Sequence, residues 1–174
     1  MAETRMVTGL FKDRDSAESA YRSLTERGYG NDEVNVVMSD ETRKRHFADD
    51  HAHATTELGH KAAEGAGIGG AIGGTVGAIA AAIAAVGTSI ALPGLGLVIA
   101  GPVAAALAGA GAGAATGGLV GALIGWGIPE ERVNQYESGL EEGGILMGVK
   151  PRSDQDAAFL QEDWRKSRGE LINY

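Results

Sequence analysis

Apolar and polar positions follow two different rules along this chain. Residues 6 to 12, Met-Val-Thr-Gly-Leu-Phe-Lys, form a short apolar run rich in strand formers. Asp15, with Glu18 three residues on, reads as an N-cap acid with its partner. Ala17, Ala20, Tyr21 and Leu24 then recur at helical spacing, and Gly28 suits a C-terminal cap. Val34, Val36, Val37 and Met38 predict a second strand. Residues 39 to 64 are polar and read as a linker that turns helical near Thr56-Glu57-Leu58. Periodicity resumes at Pro129, placed for a first helical turn, with Glu130 and Glu131 at the positive end of the helix dipole. Val133, Tyr136 and Leu140 share a face, and Gly143 ends the helix. Ile145 to Val149 is a third strand. Ser153 caps a third helix with Ala157, Leu160 and Trp164 inward, and Leu171-Ile172 adds a last short edge strand. The order is β-α-β, insertion, α-β-α-β, which predicts an α+β sandwich with helices on one sheet face.

The insertion obeys a different rule. From Gly65 to Ile128 there are 64 residues, 19 of them Gly and 19 Ala, with no Asp, Glu, Lys, Arg or His. All 38 charges lie outside it, so the expected organisation is in four parts. Residues 1–40 are the first half of the α+β domain, 41–64 a polar His-containing linker, 65–128 the Gly/Ala segment and 129–174 the second half. Gly65, Gly69, Gly73 and Gly77 repeat every fourth residue, as do Gly109, Gly113, Gly117, Gly121 and Gly125. That spacing puts each set on one slowly drifting helix face without side chains, where two backbones approach closely. Ile68, Ile72, Val76, Ile79, Ile83, Val86 and Ile90 occupy the other side of the first arm. Leu92-Pro93-Gly94-Leu95-Gly96 separates the arms, and Gly101-Pro102 marks a fresh start. The expectation is an antiparallel helical hairpin with arms at about 66–90 and 102–126, self-associating through the nine zipper glycines.

Val7-Thr8-Gly9-Leu10-Phe11, the helix ending Arg27-Gly28-Tyr29, and Glu33-Val34-Asn35-Val36-Val37 resemble the opening of the bacterial general stress protein domain (17M type), also called heat-induced stress proteins. The run from Gly127-Ile128-Pro129-Glu130-Glu131-Arg132-Val133 through Gly139-Leu140 to Gly143-Gly144-Ile145-Leu146 is the more specific part of the resemblance. It covers about residues 5 to 38 and 125 to 174. It implies a ferredoxin-like domain with a Gly-rich hydrophobic insertion between its halves, and a stress-response setting. It implies no activity.

Charge and chemistry narrow the function classes. The net charge of −8 argues against a nucleic-acid partner. With no cysteine, disulfides, Cys-ligated zinc and thiol catalysis are excluded. Met1 to Arg5 lacks the regions of a secretory signal, so the charged part is expected in the cytoplasm. Gly65-x-Gly67-x-x-Gly70 matches a dinucleotide fingerprint only as a string, since no acid follows until Glu130. His46, His51, His53 and His60, with Asp49, Asp50 and Glu57, fit no defined metal site. The acid pairs Glu130-Glu131 and Glu141-Glu142 sit at helix ends, and no nucleophile signature accompanies the serines. No catalytic residue, cofactor or metal is therefore expected. Arg43-Lys44-Arg45 reads as a solvated linker or a contact to anionic headgroups, and Trp126 as an interface or a packing residue.

The expectation is a non-enzymatic protein whose partners are other copies of itself and a lipid bilayer. Each arm is about 37 Å long as a helix, enough to cross a hydrocarbon core of about 30 Å. Against spanning stand the Gly/Ala composition and the uncharged tip from Ala91 to Pro102. The alternatives are a soluble homo-oligomer with the hairpins packed inside it in the cytoplasm, and a hairpin packed within its own monomer.

Overall fold

The computed structural model describes residues 5–54, 79, 89–92, 96–102, 123–124 and 128–174. They form a mixed α/β fold around one antiparallel sheet. The elements are β1 (Val7–Phe11), α1 (Arg14–Glu26), β2 (Val34–Ser39), α2 (Asp40–Ala54), β3 (Ser89–Leu92), β4 (Leu97–Ala100), α3 (Glu130–Glu141), β5 (Ile145–Val149), α4 (Asp154–Lys166) and β6 (Glu170–Asn173). The sheet order is β3-β4-β2-β5-β1-β6. β5 lies between β1 and β2, with Phe11 and Met38 both opposite Ile145 and with Val7 and Val34 both opposite Val149. Strands from the two charged halves thus alternate in one sheet, as expected, with β2 and β5 central and β6 at an edge.

Both faces of the sheet are covered, which corrects the one-faced sandwich. Val7, Phe11, Val34, Val36, Met38, Ile145, Met147 and Val149 point to a core shared with α1 and α4. Leu10, Val37 and Leu146 point the other way, to Val133, Tyr136 and Leu140 of α3. β1 and β5 are buried at every position and β2 at all but its last, which is why Ile145 to Val149 is a continuous apolar run rather than an alternation. Trp164 is fully buried with its ring 5.7 Å from that of Phe11, edge to face. Its indole N–H has no acceptor among the described residues, a cost on the order of 1–3 kcal/mol within an otherwise apolar core.

The helix caps show how local sequence sets the boundaries. α1 is capped by Asp13, not Asp15: the Asp13 carboxylate accepts from the Ser16 N–H at 2.8 Å and the Ser16 hydroxyl at 2.9 Å. Asp15 falls in the first turn, where it faces the dipole. Ser153 caps α4 by accepting from Asp156 N–H at 3.1 Å, as expected. Pro129 stands just outside α3, one position earlier than read. All three of these helices end in the same motif, with the second residue past the cap donating back into the last turn: Tyr29 to Leu24, Gly144 to Gly139, Gly169 to Trp164. The left-handed position is Gly28 and Gly143 in the first two but Arg168, at φ 60°, in the third.

Two further corrections concern the middle of the chain. Residues 40–54 are helix, not linker. Ser39 caps α2 by accepting from Thr42 N–H at 3.0 Å. The tip of the insertion is strand: β3 and β4 pair in register from Ser89↔Ala100 to Leu92↔Leu97. β4 then pairs with β2 from Val36↔Ala100 to Ser39↔Leu97. The first arm, read as helical to residue 90, therefore ends before Ser89. Most of both arms, including every zipper glycine, lies outside the described residues. Of the arm residues that are described, two are fully buried in the domain. Ile79 is helical and fully buried in the α1/α4 core, its N–H donating to the Glu18 carboxylate at 3.2 Å. Leu123 is helical and fully buried in the α3 core.

Candidate functional site

Among the described residues a polar cluster joins the two halves of the chain, where the end of α1 meets the start of α4. The end of α1 places Arg27, Gly28 and Tyr29 beside the start of α4. The Ser153 cap turns Asp156 toward them. The Tyr29 hydroxyl donates to Asp156 Oδ2, and Arg27 donates through Nε to Oδ1 at 2.8 Å. Arg152 reaches the other way. Its guanidinium donates to Gly28 O at 2.8 Å and Glu33 Oε2 at 2.9 Å and lies over the Tyr29 ring at 4.3 Å. Its main-chain N–H donates to the Tyr29 hydroxyl at 3.2 Å. A shallow polar groove runs beside this cluster, lined by Glu26, Arg27, Arg152, Ser153, Gln155 and Asp156.

The electrostatics of this cluster follow from its hydrogen bonds and its burial. Burial pushes the Tyr29 phenol up to about 12, helped by its hydrogen bond to Asp156, so it stays a proton donor at neutral pH. Burial alone would raise the Asp156 carboxyl. The hydrogen bonds from Tyr29 and Arg27 outweigh it and hold the carboxyl below its ordinary value. Oδ1 accepts from Arg27 and Oδ2 from Tyr29, which fixes the Asp156 carboxylate in place. Glu33 is lowered too, first by the Gly30 N–H and then by Arg152.

Depressed carboxyl values fix the sign of a pH dependence. Stability from Asp156 and Glu33 is fully present above their unfolded values, about 4, and is lost as pH falls through the lower folded values. The protein is expected to lose stability below about pH 4. Asp156→Asn should cost about 1–3 kcal/mol at pH 7 and flatten the change between pH 5 and pH 3. Urea midpoints at the three pH values measure this. An unchanged acid limb in the variant would remove Asp156 from the account.

The residues singled out in the sequence do not join this cluster. His46 is described, its carbonyl accepting from Arg14. His51, His53, Asp49 and Asp50 fall within α2 with their side chains outside the description, as are His60 and Glu57 altogether. Among the described residues no group of three or more His, Asp or Glu is set to hold a metal. Arg43, Lys44 and Arg45 are not in a linker. They pair within α2, Arg43 and Lys44 with Asp40 at 2.9 and 2.6 Å and Arg45 with Glu41. Glu130 and Glu131 stand exposed in the first turn of α3. Trp126 lies outside the described residues. Among them, no helix is long and apolar enough to cross a membrane.

Sequence reasoning missed Tyr29, Arg152 and Asp156 as partners. The one available signal, Ser153 with Asp156 three residues on, points to a local cap and not to a tyrosine 127 residues away. Comparison with protein-family models, curated proteins and solved structures finds no match for this chain.

Proposed function

We propose that the chain is a non-enzymatic, self-associating protein: a charged α+β domain that presents glycine-zipper faces to other copies of itself. The charged halves are read as a ferredoxin-like unit. In support, β1-α1-β2 and β5-α4-β6 are two βαβ units interleaved as β2-β5-β1-β6.

The four-residue spacing of the nine glycines carries the self-association. Ile79 and Leu123 are both helical and both turned fully into the domain, on opposite faces of the sheet. The glycine repeats themselves lie outside the described residues; their spacing of four gives each set one face without side chains on a helix, the surface offered here to another copy. Glycines that cost about 1 kcal/mol each in a helix are retained because close backbone packing offsets that cost.

The same geometry weighs on the membrane reading. β3 and β4 return the middle of the insertion to the sheet, so each arm leaves and rejoins one domain. Crossing a bilayer and coming back takes about 40 residues. Between Ala54 and Ser89 there are 34, and between Ala100 and Ile128 there are 27. These lengths favour a soluble assembly, or contact with one lipid leaflet, over a spanning hairpin. The stress-response setting rests on the resemblance to general stress proteins alone.

Gly117→Leu tests the zipper, because it raises helix propensity and apolarity while blocking backbone approach. The variant is expected to lose oligomer mass by light scattering while circular dichroism shows the domain intact. Ile79→Leu, nearly volume-conserving, should keep the assembly. Wild-type assembly by Gly117→Leu would show that the glycines are not a packing face. Pelleting with membranes after carbonate extraction would instead restore the bilayer as the partner.

A further inference from the structure

We propose that β6 is a strap that opens on its own, pinned shut by the Tyr136 hydroxyl, and that its opening bares the outer edge of β1 while the rest of the sheet stays closed. The strap belongs to the charged domain and works whether or not copies associate.

Among the strands with described side chains, β6 is the least buried. One of its residues is exposed and three are half-buried, whereas β1, β4 and β5 are buried throughout. It meets β1 at Thr8↔Asn173 and Leu10↔Glu170, and the register shifts between them, so that Leu171 and Ile172 together oppose Gly9. Arg168 and Leu171, at φ 60° and 50°, are the non-glycine residues with positive φ among the described residues, and both lie at this strand or its entry. A left-handed leucine inside a strand is held there by its surroundings. Gly169 N–H donates to Trp164 O at 2.8 Å, which ties the chain to α4 up to that point, and the strap begins at Glu170.

One side chain gathers the bonds of the strap. Tyr136 is buried, its ring set in the α3 core with Val133 and Leu140. Its hydroxyl donates to Leu171 O at 2.6 Å and accepts from Asn173 Nδ2 at 2.9 Å. With that proton used, the Thr8 hydroxyl, 3.1 Å away, is the donor of a third bond. The phenol thereby joins α3 to the strap and to β1 at one atom. The other side-chain ties are exposed: Lys12 with Glu170, Arg132 with Asn173, and Tyr174 with Asp154. Exposed pairs hold little. β1 does not follow the strap out, because β5 holds it at consecutive positions from Val7↔Val149 to Phe11↔Ile145. Opening withdraws Leu171 from the α3 side and Ile172 from the α1/α4 side, where both are only partly buried, and leaves the two cores otherwise in place. Local opening of this kind is expected where few apolar contacts and mostly exposed bonds hold an element.

Amide hydrogen exchange of the full chain tests the strap. In the wild type, β6 amides are expected to exchange well ahead of those of β2 and β5, at rates that low urea leaves nearly unchanged, the mark of an opening that exposes little surface. Tyr136→Phe keeps the ring and removes bonds made only in the closed form, so β6 amides should exchange about tenfold faster. Ile145→Val is the control, a buried change in β5 whose contacts persist when the strap is open. It should speed β2 and β5 amides and leave β6 unchanged, because it weakens the closed and open forms alike. Asn173→Ala removes the pin from the strap side without touching the α3 core, and should speed β6 in the same direction as Tyr136→Phe. Wild-type β6 amides with the protection and urea dependence of β5, or an equal response of β6 and β5 to Ile145→Val, would show that β6 opens only with the whole domain and would overturn the strap. β6 amides exchanging at the rate of an unfolded chain would show that it is never shut. Unchanged β6 rates in both Tyr136→Phe and Asn173→Ala would remove Tyr136 as the pin.

Discussion

Replacing residues 62–127 by a short Gly/Ser linker is expected to abolish cooperative folding of the charged halves. From sequence, the two halves should close one core without the insertion. The structure places five large apolar residues of the insertion inside that core: Ile79 on one face, Leu123 on the other, and Leu97, Val98 and Ile99 in β4. Fully burying such a side chain is worth about 1.5–3 kcal/mol, so the five contribute roughly 7–15 kcal/mol before entropy. Extended-chain references make that an upper estimate. It still matches the whole net stability of an ordinary domain, about 5–15 kcal/mol. The loss also bares β2, whose residues Val34 to Met38 are all buried. The shortened chain should show a broad thermal transition and no sharp urea midpoint. A two-state transition near the full-length midpoint would show that the insertion is an appendage.

Gly101→Ala is expected to cost roughly 2–4 kcal/mol, far more than an ordinary substitution outside a helix or strand. Gly101 follows β4 at φ +108°, a conformation that L residues rarely adopt. A Cβ there would sit 2.4 Å from the Val34 carbonyl oxygen and 2.9 Å from Asn35 Cα. Both neighbours are backbone of β2, which is held by β5 from Val34↔Val149 to Met38↔Ile145, so neither gives way. Relief comes only by rotating the chain after Ala100, which strains the Val36↔Ala100 pair. Gly96, in the same hairpin at φ +60°, is the control: no atom of the described residues lies within 4 Å of the place a Cβ would take. Gly96→Ala should cost only the left-handed penalty, about 1–2 kcal/mol. Urea midpoints at unchanged slope measure both. Equal effects at the two positions would mean that the close approach to β2 carries no energy.

Much of the fold is legible along the chain because it is specified locally. Ala17, Ala20, Tyr21 and Leu24 mark the buried face of α1; Val133, Tyr136 and Leu140 that of α3; Ala157, Leu160 and Trp164 that of α4. A 3.6-residue period shows such faces directly. Gly28, Gly143 and Ser153 mark helix ends through groups within six residues of each other. The strands Val7 to Phe11, Val34 to Met38 and Ile145 to Val149 are apolar runs bounded by turn residues. α2 escapes this logic because Thr42 and Phe47 are the buried members described in it, too few to print a period on a polar sequence.

What the sequence determined by itself is the segmentation into charged halves and uncharged insertion, the helix faces and caps, and the nine glycines spaced by four. What only the tertiary structure decided is which surfaces meet. Leu92-Pro93-Gly94-Leu95-Gly96 signals a chain reversal, but a reversal joins two helices or two strands equally well. The pairing of Leu97 to Ala100 with Ser39 to Val36 is made 58 to 64 positions apart, by backbone groups every residue possesses. Tyr29 and Asp156 meet across 127 positions for the same reason. A side chain's spacing reveals the face on which it lies, because that depends on its own helix or strand. Its partner depends on the packing of the whole chain, where burial of Val37 and Leu146 draws α3 to the second sheet face and the bare edge of β2 draws in the hairpin.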